Sequence, residues 1–257
     1  MIERNVVTEY ARRFDIDEYT VLREYLQLIF LRSLYDISEC NHLYFKGGTG
    51  IHFLLHSFRF SEDLDFTARI KQQNIDRIIQ LAIKKTRLEA PGLKIETRSP
   101  TRVSSSYRLI FPTELSRQPL TIRVEISTRE KPLTRQISVI ETELPVSPYP
   151  MVVHLDYEEM LAEKIRAILT RSQGRDVFDT WFMFSKGVQL NNKYIEEKMK
   201  YYKQKYSLQV LKKTIEDISV QSLKDDLAKF LPQKTRRMIG ELKGLLFKSL
   251  QKQITME

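Results

Sequence analysis

Hydrophobic and polar positions change period along this chain, and each change predicts a different element. Between residues 19 and 39, Leu22, Tyr25, Leu26, Ile29 and Leu34 fall near one stripe, the spacing of a helix with a buried face. "LYFK" (43 to 46) reads as a short buried strand ended by Gly47 and Gly48. "TGIHFLLHSF" then continues as a helix opening at Thr49, a residue type that caps helix N-termini. "DLDFTARI" predicts a second strand. "NIDRIIQLAIKKTRLEA" returns to helical spacing, with Ile75, Ile78, Ile79 and Ala82 on one side and Pro91-Gly92 closing it.

From 93 to 155 the period falls to two, with strand-like "LKIETRS", "YRLIFP", "LTIRVEIST" and "MVVHL" separated by Pro, Ser and Thr. Beyond Leu155 the spacing is helical with no clear strand run. The pattern predicts an α+β fold in two parts, a mixed domain over residues 1–155 and a helical domain over 156–257.

Composition narrows the classes. With 42 % hydrophobic and 29 % charged residues in 257, the chain can bury a substantial core as one large or two ordinary domains. The most apolar stretch, "LQLIFLRSLY", is broken by Gln27 and Arg32 and falls short of a membrane span, so no membrane partner is expected. "MIERNVVTEYARRF" carries charges of both signs and lacks a signal-peptide apolar region. Cys40 is the single cysteine, so no internal disulfide forms and a cytoplasmic location is expected. The formal charge of +9 fits either a phosphate-rich partner or an ordinary basic surface. Much of the excess lies in "NNKYIEEKMKYYKQKYSLQVLKK" and "KFLPQKTRRMIGELKGLLFKSLQKQ", where Lys is interspersed with Tyr and Phe.

Candidate chemistry centres on "FKGGTGIHFLLHSFRFSEDLDF". Side chains two apart on a strand point the same way, so Asp63 and Asp65 face one side while Leu64 and Phe66 pack on the other. Ser61 shares that face if the strand runs so far back. Two carboxylates this close repel unless a cation lies between them, and Mg²⁺ takes one or two carboxylates together with substrate phosphates. The upstream Gly47, Gly48 and Thr49 let a backbone approach a phosphate at a helix N-terminus. A tight turn and a solvated edge strand would explain each half separately; the joint strand–turn–helix–strand frame favours a magnesium and nucleoside triphosphate site. His52 and His56 stand i, i+4, but the helix lacks the glutamate of a metalloprotease motif and no third ligand is evident.

A second block, "YEEMLAEKIRAILTRSQGRDVFDTWFM" (157 to 183), follows Asp156, which with Glu159 makes a capping-box-like start. Leu161, Ile165, Ile168 and Leu169 form its buried stripe; Lys164 borders that stripe and Arg171 projects from nearly the same side. Gln173-Gly174 breaks the helix, and Asp176 and Asp179 share a face of the next one. Asp176 also suits a plain first-turn acid.

Together the two blocks resemble the AbiEii/AbiGii toxin family, which includes the MenT toxins, within the DNA polymerase β-type nucleotidyltransferase superfamily. The resemblance implies a polymerase β-like core and a Mg²⁺-dependent nucleotidyltransferase, with metal on Asp63 and Asp65. It implies phosphate seats at Lys46, Gly47, Gly48, Thr49 and Ser61, with Lys164 and Arg171 reaching the triphosphate from the helical half. Lys164 and Asp176 would belong to the active site, with Asp179 in a structural role. Glu125 stands where the superfamily carries its third carboxylate and could serve as metal ligand or base; an outward-facing residue of a half-buried strand explains it equally. The resemblance further implies the toxin of a toxin–antitoxin or phage-defence system, with a DNA-binding antitoxin as partner. MenT relatives add nucleotides to tRNA 3′ ends, so NMP transfer from an NTP to RNA, with tRNA as acceptor, is expected. A protein or small-molecule acceptor, and a non-catalytic nucleotide- or RNA-binding module, are the alternatives.

Overall fold

The computed structural model describes residues 2–98 and 101–255. The chain divides into two compact units, Met1–Leu54 with Phe60–Leu155, and Leu55–Arg59 with Asp156–Glu257.

The first unit opens with helices α1 (Arg4–Phe14) and α2 (Glu18–Tyr35). Asp17 caps α2, its Oδ1 accepting from Thr20 N at 2.8 Å. α2 stops at Tyr35, short of the predicted residue 39, because the chain tightens into a 3₁₀ turn at Ser38–His42. Strand β1 (Leu43–Lys46) follows, then α3 (Gly47–Leu55), β2 (Asp63–Ala68), α4 (Gln72–Thr86), β3 (Lys94–Thr97), β4 (Ser104–Phe111), β5 (Leu120–Ser127), β6 (Gln136–Val139) and β7 (Met151–His154). β6 lies in a proline-rich stretch where the alternation predicted no strand.

These strands form one mixed sheet in the order β3-β4-β5-β2-β1-β7-β6. β2 runs antiparallel to β1 and parallel to β5. One sheet face carries Phe45, Leu64, Phe66, Ile122, Val124 and Ile126, all buried and clustered with Leu26, Ile29 and Phe30 of α2 and Ile75 and Ile79 of α4. Burying each such side chain contributes roughly 1.5–3 kcal/mol, so this face dominates the unit's stability. The other face carries Lys46, Asp63, Asp65, Arg123, Glu125, Ser106 and Arg108, residues paired across neighbouring strands and therefore pointing the same way.

The second unit is helical: α5 (Tyr157–Arg171), α6 (Gly174–Ser185), α7 (Asn192–Lys200), α8 (Leu208–Asp217), α9 (Val220–Leu227), 3₁₀ turns at Ala228–Phe230 and Gln233–Gly240, and α10 (Leu242–Thr255). α5 packs on α6, α7 and α8, and α10 packs on α6. Asp156 caps α5, accepting from Glu159 N at 2.7 Å. Asn191, Ser207 and Ser219 cap α7, α8 and α9 in the same way. The helix breaks at residues 172–173 and Gly174 opens α6, where a Cβ would lie 3.1 Å from the Leu223 backbone. Phe58 meets Phe178 and Phe182 edge-on, at ring-centroid distances of 5.2 and 5.9 Å. Buried Lys198 ties α7 to α5 through Glu159 at 2.6 Å and Glu163 at 3.0 Å.

Candidate active site

In the first unit, the strand–turn–helix places the predicted residues of the "FKGGTG…DLDF" block around β2. Asp63 and Asp65 both stand on β2 and are half-buried on its polar face, while Leu64 and Phe66 are fully buried on the other. Lys46, the last residue of β1, pairs in register with Asp65. Gly47 follows with φ +77°, a conformation that favours glycine. A Cβ at this position would lie 2.2 Å from Asp65 Oδ2, so the carboxylate occupies the space a side chain would fill. Glycine is thus required twice over, by backbone angle and by the acid resting on it.

Two residues take other positions than expected. Thr49 is not the cap of α3, which begins at Gly47; it is fully buried, and its hydroxyl donates to the Asp63 carbonyl. That bond pins the first turn of α3 to the start of β2. Ser61 lies before β2, which starts only at Asp63, so the two-residue alternation does not extend to it. Its carbonyl and that of Glu62 accept from Gln27 Nε2 at 3.1 and 3.2 Å, which fixes the approach to the strand.

Glu125 on β5 is in register with Asp65. Its Oε1 accepts from Ser106 Oγ at 2.7 Å and lies 3.8 Å from Arg123 Nε. Among the described residues no three His, Cys, Asp or Glu converge into a metal cage. The donor set nevertheless suits Mg²⁺, which binds through one or two carboxylates and completes its octahedron with water and substrate oxygens. His52 faces Glu24 at 3.3 Å, and His56 holds a positive φ of 56° just beyond α3. Cys40 is buried, which pushes its thiol up to about 12 and removes it from thiolate chemistry at neutral pH.

In the second unit, Lys164, Arg171, Asp176 and Asp179 meet. Lys164 Nζ lies 3.2 Å from Asp176 Oδ1 and 2.7 Å from Asp179 Oδ2. Arg171 contacts Asp176 through Nε at 2.8 Å and through its second nitrogen at 2.9 Å. The residue that sequence reasoning missed is Arg59. Its guanidinium grips Asp179 bidentately at 2.7 and 2.8 Å and is 2 % exposed. No sequence signal marked it, since its partner lies 120 residues away. Burial alone would raise both carboxyls. Arg59 and Lys164 overcome it at Asp179 and hold that group down at about 2; Lys164 and Arg171 lower Asp176. The chain of charges runs Arg59–Asp179–Lys164–Asp176–Arg171, and only Arg171, with its side chain 53 % exposed, reaches solvent substantially.

A mixed sheet bearing Asp-x-Asp beside a glycine turn, followed by a helical unit, is a nucleotidyltransferase fold. Solved structures agree on the fold. A candidate nucleotidyltransferase from H. pylori superimposes with TM-score 0.60 at 21 % identity, covering 94 % of this chain and 99 % of that one. MenT4, a nucleotidyltransferase toxin from Mycobacterium tuberculosis H37Rv, gives 0.56 at 16 % identity over 96 % and 99 %. JHP933 from Helicobacter pylori gives 0.56 at 22 % identity over 93 % and 97 %. No curated protein matches the sequence. The family model described as nucleotidyl transferase AbiEii toxin, type IV toxin–antitoxin system, matches residues 29–249. The chain belongs to the AbiEii nucleotidyltransferase toxin family and is a nucleotidyltransferase enzyme. No helix among the described residues is long and apolar enough to cross a membrane.

Proposed function

We propose that this toxin transfers a nucleotide from a nucleoside triphosphate to the 3′ end of an RNA, with tRNA as the acceptor class, in the cytoplasm. The observation that carries the reading is Asp65 resting on Gly47 at the head of α3, with Asp63 beside it on the same face of β2. That arrangement brings hard oxygen donors next to a phosphate-binding backbone. The +9 charge and the family's toxin character support a polyanionic acceptor over a small one.

Asp63 and Asp65 would hold Mg²⁺, which when bound neutralises charge developing on the phosphates. Gly47, Gly48 and the following N–H groups of α3 seat the triphosphate, and Lys46 adds a cation at the end of β1. Glu125 accepts the proton of the acceptor hydroxyl, oriented for that task by the Ser106 hydroxyl on one of its oxygens. The hydroxyl oxygen bonds to the α-phosphorus, the bond from that phosphorus to the bridging oxygen breaks, and pyrophosphate departs. We assign Lys164 and Arg171 a phosphate-binding role. Asp176, bonded to both, sets their positions. The family implies an antitoxin, and we assign it a DNA-binding role.

The test is incubation of the purified chain with Mg²⁺, each α-³²P-labelled NTP in turn, and total bacterial tRNA. Label on tRNA that disappears with chelator and in Asp63→Ala supports the reading. Label on protein alone would transfer it to a different acceptor class.

A further inference from the structure

Building on that reading, we infer that Arg108 and Arg123 form a binding site for the phosphates of the acceptor strand, on the flank of β2 opposite the donor's glycine turn. Arg123 on β5 is in register with Asp63, and Arg108 on β4 is in register with Arg123. Paired strand residues share a face, so both guanidiniums stand on the face that carries the two aspartates. Strands lie about 4.8 Å apart, which sets the arginines roughly one and two strand spacings from the carboxylates.

Both arginines are exposed. Arg108 makes no ion pair among the described residues, although Glu96 follows it in the same row. Among the described residues the one ion pair of Arg123 is with Glu125, at 3.8 Å. Like charges directly opposite on neighbouring strands destabilise a sheet. Alternating signs would solvate this face at lower cost, so the juxtaposition points to an anionic ligand.

The sheet order decides which phosphates. Gly47 follows β1, on one side of β2, and brings the α3 N-terminus to that side. β5 and β4 lie on the other side. The triphosphate seat and the arginine pair therefore flank the carboxylates from opposite directions. Glu125, the proposed base for the acceptor hydroxyl, belongs to the arginine flank. An acceptor strand reaching Glu125 from that side would lay its terminal phosphates over Arg123 and Arg108.

Fluorescence anisotropy with a labelled single-stranded RNA carrying a free 3′ hydroxyl, without NTP, tests the site directly. We compare the wild-type chain with the Arg108→Gln, Arg123→Gln double variant across a salt series. Loss of two phosphate contacts weakens RNA binding roughly tenfold at about 0.1 M salt and flattens the log–log salt slope by about 1.4. The Mg²⁺-dependent affinity for NTP stays unchanged, and Arg108→Lys, Arg123→Lys restores most of the slope. The Gln variant should melt no lower than the wild-type chain, since both side chains are exposed and their mutual repulsion is removed. Unchanged RNA affinity, or no RNA binding by the wild-type chain, overturns the inference. A weakened NTP affinity with RNA binding intact also overturns it, by giving the pair to the donor. Binding needs no turnover, so an enzyme that holds RNA through this pair yet transfers nothing would sink the proposed reaction alone.

Discussion

The first unit's carboxylates and the second unit's carboxylates are the same chemistry put to two uses. Asp63 and Asp65 stand two apart on a strand, half-buried, with Asp65 set against a glycine backbone. Asp176 and Asp179 stand three apart on a helix, fully buried, and each is held by two protein cations. Buried acids need their counter-charges within the fold, because an uncompensated buried charge costs several kcal/mol. For the half-buried pair on β2 we propose an exchangeable cation as ligand. The difference teaches that proximity of two aspartates does not identify a metal site; what surrounds them does.

This contrast can be broken in several ways, the largest effect being on transfer. Asp65→Asn should lower nucleotide transfer by at least about a thousandfold, the order expected when a charge-stabilising ligand is removed. Its fold should stay intact, because asparagine fills the same volume at this half-buried strand position. Label incorporation and a thermal melt on one preparation check both halves; substantial retained activity would remove the two-carboxylate premise.

Arg59→Ala should do the reverse in kind. It leaves Asp179 buried with Lys164 alone, and urea unfolding should show a loss of about 3–5 kcal/mol. Arg59→Lys keeps the charge but not the bidentate grip, so it should fall between wild type and Ala.

The acid limb of stability follows from the same network. Asp179 has its carboxyl depressed to about 2 in the fold. It therefore contributes stability that is present above the usual aspartate range and is lost as pH falls from about 4 towards 2, on the order of 2 kcal/mol. Asp176, lowered as well, acts in the same direction. Unfolding measured across that window should steepen in the wild-type chain and flatten in Asp179→Asn.

Glu125→Gln should have the smallest effect on turnover, about a hundredfold, since general-base catalysis contributes on that scale. Its signature is a fall in turnover with RNA and NTP affinity retained. Unchanged turnover would leave Glu125 as an outward-facing strand residue bonded to Ser106.

Much of this was legible from residue spacing. The period-two pattern placed Asp63 and Asp65 on one face and Leu64 and Phe66 in the core, because a strand has no other way to dispose them. Asp156 announced its own cap, and the α+β class followed from the change of period. What escaped depends on partners distant in sequence or on local backbone. β6 escaped because Ile137 and Val139 are exposed on an edge strand, so no alternation of burial marks it. Thr49 reads as a cap until the Asp63 carbonyl is seen to take its hydroxyl. Arg59 looks like any surface cation until the fold brings Asp179 to it.

The most direct test of the central claim is magnesium-linked stability. Melting temperatures would be recorded for the wild-type chain, Asp63→Asn/Asp65→Asn and Asp179→Asn, with and without Mg²⁺ and a non-hydrolysable NTP analogue. Ligands that bind only the folded state raise its melting temperature by mass action. The account predicts a ligand-dependent rise in the wild-type chain, none in the double variant, and a rise from a lower starting point in Asp179→Asn. An equal rise in the wild-type chain and the double variant would contradict it, because the cation would then bind without the β2 carboxylates.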